Sequence, residues 1–171
     1  PVGRVPGIAH ESLDVTDAAA LLAVVKRHKV TQVYHLAAAL SATGEKHPQW
    51  AWNLNMVGLL NVLELARNEK LERVFWPSSI AAFGPSTPAV APQQTVMEPS
   101  TVYGISKLAG ERWCAWYHAR HGVDVRSLRY PGLISWKTAP GGGTTDYAVE
   151  IFHAALREGR PSRLLHVYGP T

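Results

Sequence analysis

Tyr103 and Lys107 stand four residues apart in Tyr103-Gly-Ile-Ser-Lys107, and on a helix that spacing puts both side chains on one face. The chemistry open to such a pair is acid–base work on an alcohol. Free tyrosine titrates near ~10, and a neighbouring cation favours the phenolate. A phenol lowered by the Lys107 ammonium, directly or through a shared hydroxyl, would take the proton of a substrate hydroxyl while hydride leaves the same carbon. The same spacing recurs on ordinary exposed helices, so the surrounding elements must supply the rest.

Those elements are legible on both sides of the pair. Segment 73–84 reads as a short apolar strand that runs into Ser78 and Ser79 and then a turn, which places Ser79 at the carboxyl edge of a buried parallel strand. Segment 31–39 is a second apolar strand that breaks into small residues, and 123–132 is a third, ended by Pro131-Gly132. Between them lie long helical patterns over 49–69 and 101–121. The order strand, helix, strand, helix, strand predicts an α/β fold with a parallel sheet, right-handed crossovers and flanking helices. Ser100, after Pro99, is the expected cap of the helix that carries Tyr103, which would hold the phenol near the positive end of the dipole. Gly122 is its expected left-handed C-terminal cap. Asp14 and Thr16 lead into an amphipathic helix over 18–28.

Composition narrows the function classes. With 171 residues, 46% hydrophobic and 18% charged, the chain has enough apolar material for one domain core. No apolar run approaches the ~20 residues of a membrane span. The net charge is +4 and the isoelectric point is near 9.4, yet Lys26, Arg27, Lys29, Arg67, Lys70 and Arg73 are dispersed rather than clustered along a phosphate-binding stripe. The tryptophans, as in Trp113 with Trp116, fall at helical spacing and read as core or interface. The single cysteine, Cys114, excludes an internal disulfide and a Cys-rich metal site and reads as packing. His118 and His121 share the spacing of two ligands, but no third ligand is near in sequence, so they read as solvated helix residues.

The set His35-Leu-Ala-Ala-Ala39, Asn55-Met-Val-Gly58, Ser78-Ser-Ile-Ala-Ala-Phe-Gly84, Tyr103-x-x-x-Lys107 and Arg129-Tyr-Pro-Gly132 resembles the extended short-chain dehydrogenase/reductase superfamily, with nearly the whole chain taking part. Within it, the Trp76 to Pro85, Met97 to Lys107 and Arg129 to Ser135 segments, followed by Pro140-Gly-Gly-Gly-Thr-Thr-Asp-Tyr-Ala148, are similar to the short-chain L-threonine 3-dehydrogenases. The superfamily's first strand ends in a Gly-rich turn that seats the cofactor pyrophosphate, and its second carries an acidic residue for the adenosine ribose. Neither is in this sequence. The expectation is therefore a partial chain that begins near the superfamily's third strand. It would be a Rossmann-like parallel sheet lacking the first two strands and most of the C-terminal substrate domain. Residues 1–171 would be a partial dinucleotide-binding domain, with the substrate region starting at about 136–171.

The resemblance implies NAD as cofactor and L-threonine as substrate, oxidised at its hydroxyl carbon to 2-amino-3-ketobutyrate. Tyr103 would be the base, Ser79 would hydrogen-bond the reacting oxygen, and Lys107 would lower the phenol and hold the nicotinamide ribose. Asp14 and Val15 match the place where the family touches the adenine ring. Leu36, Ala37 and Ala38, with Pro131 and Leu133, would complete the cofactor wall, and Asn55 would hold a water linking Lys107 to solvent. Ser41, Gly142, Gly143, Thr144, Thr145 and Asp146 would grip the amino acid, with Asp146 near the ammonium and the Gly-rich amides on the carboxylate. No metal is implied. The resemblance also implies a homodimer through helices 49–69 and 101–121, in the cytoplasm, or in the mitochondrial matrix of a eukaryote, with no nucleic-acid or membrane partner.

Plainer roles stand beside each assignment. Ser78 and Ser79 could close a turn, Asn55 could fill a buried polar site, and Thr144 to Asp146 could be an ordinary helix N-cap. Two other functions stay open: a sugar-nucleotide epimerase or dehydratase of the same superfamily, and a non-catalytic, dimer-forming remnant. Without its neighbouring strands the segment should leave a sheet edge unpaired and an apolar face open, with poor solubility.

Overall fold

The computed structural model describes residues 7–133 and 147–158. Asp17 opens the first helix, α1 (Ala18–His28), by accepting the Ala20 N–H, and Lys29 closes it in the left-handed region. Strand β1 (Gln32–Tyr34) follows, then two short helices, α2 (Ser41–Lys46) and α3 (Pro48–Trp52), the second with Pro48 in its first turn, where a missing N–H costs nothing. A wide π turn, Asn53–Val57, joins α3 to α4 (Gly58–Asn68). The continuous helix expected over 49–69 is thus present as a path, widened to a π turn over Asn53–Val57.

Strand β2 (Arg73–Phe75) is separated by Trp76 and Pro77 from β3 (Ser78–Ser79), which enters a single 3-10 turn, Ile80–Ala82. The long helix α5 (Val102–His121) ends at Gly122 with φ of 68°, the left-handed cap its sequence calls for. Its N-cap is Thr101 rather than Ser100, because the Thr101 hydroxyl accepts the Gly104 N–H at 3.0 Å. Strands β4 (Val125–Arg126) and β5 (Arg129–Tyr130) and helix α6 (Tyr147–Glu158) complete the described elements.

The strands form a parallel sheet in the order β1-β2-β4, extended at its carboxyl end by the parallel pair β3-β5. This is the α/β architecture that the element order predicts. Helix α4 packs on β2 and against α1 and α5. Leu59, Val62, Leu63 and Val74 are fully buried there, joined by Leu21, Val25, Trp76, Cys114 and Tyr117. Each large apolar side chain sealed in this way contributes roughly 1.5–3 kcal/mol. Cys114 is a packing residue, as expected. The opposite flank is open: Tyr34 is 67% and Leu36 65% exposed, and β1 has no outer partner among the described residues. No helix among the described residues is long and apolar enough to cross a membrane.

Two glycines set how closely α5 approaches the strands. A Cβ on Gly104 would lie 2.2 Å from the Ala81 carbonyl oxygen, and one on Gly110 would lie 2.4 Å from the Trp76 ring. The first contact is with backbone, which cannot swing aside. Helix α5 therefore rests directly on the 3-10 turn after Ser79.

Candidate active site

At the carboxyl ends of the strands a cleft of about 740 Å³ opens between the 3-10 turn, the start of α5 and the segment after β5. Ser79, Tyr103 and Lys107 all line it. Ser79 caps the 3-10 turn, accepting the Ala81 N–H at 3.1 Å. The Ser79 side chain and the Tyr103 phenol face the same cleft, close enough for the serine to favour the phenolate. A backbone amide thus fixes the serine oxygen, leaving its proton for the phenol or for a reacting oxygen. Tyr103 is the second residue of α5, where Thr101 takes the Gly104 N–H and the Glu45 carboxylate takes the Val102 N–H at 2.7 Å. Glu45 lies on α2, the helix that also carries Ser41 into the cleft.

Lys107 is 3% exposed. Its Nζ donates to the Pro77 carbonyl at 2.5 Å and stands 5.3 Å from the centre of the Tyr103 ring. Burial pulls the ammonium down to about 8, with the Cys114 side chain opposing the fall. Burial pushes the Tyr103 phenol above its ordinary value, and the Ser79 side chain beside it works against that rise. The lowering of Tyr103 by Lys107 expected from the spacing is not what this geometry gives. The ammonium is committed to Pro77 and to aromatic faces, and desolvation penalises the phenolate more than Ser79 favours it.

The other expected site residues divide. Leu36, Ala38, Ser41, Pro131 and Leu133 line the cleft with the three central groups. Ala37 is exposed and is not part of the lining. Asn55 is turned away: in the π turn its Oδ1 accepts the Ala39 N–H at 2.7 Å, while its Nδ2 donates to the Ala39 carbonyl and to the Ser106 hydroxyl. It pins the turn after β1 to α5 and fills a buried polar site. Asp14 accepts from the Thr16 N–H and hydroxyl, and Val15 packs near Gly58, so neither lies along the cleft. Gly142, Gly143, Thr144, Thr145 and Asp146 lie outside the described residues.

Several functional contacts are absent from the sequence reading. Pro77 matters through its carbonyl, and Phe83 and Thr101 also face the cleft. Glu111, one turn beyond Lys107, accepts two hydrogen bonds from Arg129 at 2.8 Å and one from Ser78 at 2.6 Å. Burial alone would raise this carboxyl, but Arg129 and Ser78 outweigh it and hold it below the usual carboxylate value. The i, i+4 relation to Lys107 was the available signal for Glu111. His118 approaches the Val123 carbonyl and His121 meets Trp116 in an edge-to-face contact. Among the described residues no three His, Cys, Asp or Glu side chains converge as metal ligands do.

The cleft fits one end of a nicotinamide dinucleotide. Leu36, Ala38, Pro131 and Leu133 offer an apolar wall, and Lys107 and Tyr103 offer polar groups beside it. The described residues that line the cleft include no Gly-rich turn of the kind that seats a pyrophosphate.

A family model described as the NAD dependent epimerase/dehydratase family matches residues 4–170. An uncharacterised epimerase/dehydratase of Staphylococcus saprophyticus is 54% identical over 156 residues, which cover 91% of this chain and 48% of that protein. Among solved structures, a GalE-like L-threonine dehydrogenase from Cupriavidus necator in its holo form is 76% identical. It has a TM-score of 0.87, over 91% of this chain and 51% of that one. A monomeric L-threonine 3-dehydrogenase from a metagenome, in its apo form, is 47% identical with a TM-score of 0.84, over 91% and 52%. The chain spans about half the length of these relatives.

His35 gives the fold a pH-dependent stability. It follows β1, its Nε2 is buried with no partner among the described residues, and burial, aided by the Lys107 charge, pulls it from 6.5 to about 4. As pH falls through 6.5 the unfolded chain takes the proton first, so stability is lost between pH 6.5 and about 4 and levels off below. The limit is roughly 3 kcal/mol, at about 1.4 kcal/mol per unit. Urea unfolding at neutral pH and near pH 4.5 should show this loss in the wild type and a clearly smaller one in His35→Gln. Equal losses in both would contradict it.

Proposed function

Because its family model spans nearly the whole sequence, the chain belongs to the NAD dependent epimerase/dehydratase family, and we propose that it forms the nicotinamide-facing half of an NAD-dependent L-threonine 3-dehydrogenase. The observation that carries this reading is the Ser79–Tyr103–Lys107 constellation on one cleft wall. The 76% identity to a protein described as an L-threonine dehydrogenase supports it. Residues 1–171 are then a partial dinucleotide-binding domain, with the substrate region beginning near 136.

Tyr103 takes the hydroxyl proton of L-threonine through its Oη. Ser79, held by the Ala81 amide, hydrogen-bonds the same oxygen as the ketone forms. Lys107 and Tyr103 are the residues that would hold the nicotinamide ribose, and Leu36, Ala38, Pro131 and Leu133 would flank the ring. When bound, NAD+ supplies the hydride acceptor that turns the alcohol carbon into the carbonyl of 2-amino-3-ketobutyrate. Because burial raises the phenol, Tyr103 needs positive charge or further donors on its oxygen before it can act as a base near neutral pH. Ser41 faces the same cleft and is assigned to the amino acid, with Gly142, Gly143, Thr144, Thr145 and Asp146. Asp14 and Val15 are assigned to the adenine end of the cofactor and Ala37 to its wall, all outside this cleft, while Asn55 braces the turn after β1. The enzyme is assigned to the cytoplasm, or to the mitochondrial matrix in a eukaryote.

Helices α3 to α5 also carry an open apolar surface. Trp50, Trp52, Ile105, Trp113 and Trp116 are all exposed, and Pro48, Gln49, Trp52, Val102 and Ile105 outline a groove. This supports a homodimer through 49–69 and 101–121. Sedimentation of the full-length protein should give twice the chain mass, and Trp116→Glu should halve it. A monomer at micromolar concentration contradicts the dimer.

For the reaction, the full-length protein should form NADH with L-threonine and not with nucleotide sugars. Tyr103→Phe should lower kcat by about a thousandfold or more with little change in KM, as loss of a general base and its hydrogen bonds requires. Wild-type turnover in Tyr103→Phe, or turnover of a nucleotide sugar in place of threonine, would overturn the assignment.

A further inference from the structure

The Lys107 ammonium is buried without a carboxylate partner among the described residues. An ammonium carries three donors, and one goes to the Pro77 carbonyl. Two rings also face it: Trp76, 4.6 Å from Nζ to the ring centre, and Tyr103 at 5.3 Å. Tryptophan is the strongest of the aromatic cation binders, and the attraction grows when the site is dry. Here it is dry, since Trp76 is 4% exposed.

The indole is also held rigidly. It fits against the bare backbone of Gly110, where a Cβ would stand 2.4 and 2.6 Å from its Cη2 and Cζ2, and the same Cβ would stand 3.0 Å from Leu59. Gly110 lies three residues after Lys107 on α5, so one helix presents both the cation and the gap that admits the ring. Trp76 and Pro77 are consecutive at the end of β2, so the ring and the carbonyl that grip Nζ share one rigid strand end.

Resting on the assignment of Lys107 to the cofactor end of the cleft, we propose that Trp76 is a positioning residue for Lys107. Its indole face and the Pro77 carbonyl form a cradle that fixes the ammonium, and Gly110 is the opening that lets the indole in. Trp76 itself does not line the cleft. It acts on turnover only through Lys107.

The test uses the full-length protein with labelled lysine, the Lys107 signal being assigned by its loss in Lys107→Arg. In the wild type, the Lys107 Cε protons should resonate upfield of those of the other lysines, shielded by the indole face. Trp76→Leu, which keeps apolar volume without a ring, should remove that shift and lower kcat roughly tenfold or more while leaving the KM for the amino acid within about twofold. Trp76→Phe should keep part of the shift and most of kcat. An upfield Lys107 signal that depends on Trp76 upholds the cradle even if threonine proves not to be the substrate. A wild-type Lys107 signal among the other lysines, or a folded Trp76→Leu with unchanged kcat, overturns it. If Trp76→Leu does not fold, a reduced upfield shift in Trp76→Phe upholds the cradle and an unchanged one overturns it.

Discussion

Helix α5 lies on the carboxyl ends of the strands with no side chain between them at two points, Gly104 over the Ala81 carbonyl and Gly110 over the Trp76 indole. The site depends on that closeness. A helix held one side chain further out would carry Tyr103 away from the Ser79 turn and Lys107 away from Pro77. Residues on a rigid helix and on strand ends keep their relative positions better than residues on loops do, and all three central groups are placed in that way. The fully buried Leu59, Leu63 and Val74 behind α5 give the helix its backing.

The same closeness sets the electrostatics. Lys107 is buried and Tyr103 partly so, which brings the ammonium down to about 8 and raises the phenol. Desolvation acts on each group in the direction of its neutral form. The Glu111–Arg129 ion pair, joined to Ser78, ties α5 to β3 and β5 just outside the cleft. Removing one member of such a partly buried pair leaves an uncompensated charge, a larger loss than the pair's own net contribution. It is a structural brace for the hydroxyl-bearing strand end.

Much of this was legible in the sequence because periodicity and order carry it. Apolar runs ending in small or hydroxyl residues, alternating with helical patterns, yielded the parallel sheet. The joint occurrence of Ser79, Tyr103 and Lys107 yielded the cleft wall, and Gly122 marked a helix end through the one conformation that favours glycine. What stayed hidden depends on contacts distant in sequence or on single backbone atoms. Thr101 displaces Ser100 as the cap because its hydroxyl reaches the Gly104 N–H, and both residue types make good caps. The π turn at Asn55 leaves no mark in apolar spacing. Asn55 therefore looked like a cofactor-side residue, whereas its amide is consumed by Ala39 and Ser106. The partner of Lys107 is a carbonyl, and carbonyls have no sequence signature.

The central claim is that direct packing of α5 on the turn after Ser79 makes the site. Gly104→Ala tests it most directly, because one methyl group would stand 2.2 Å from a backbone oxygen that cannot turn away. The measurement is a crystal structure of the full-length variant, with its turnover determined on the same preparation. The structure should show α5 displaced and Tyr103 moved away from Ser79 in a protein that still folds, with turnover lost in parallel. A variant that keeps Tyr103 beside Ser79 and turns over at the wild-type rate would contradict the claim.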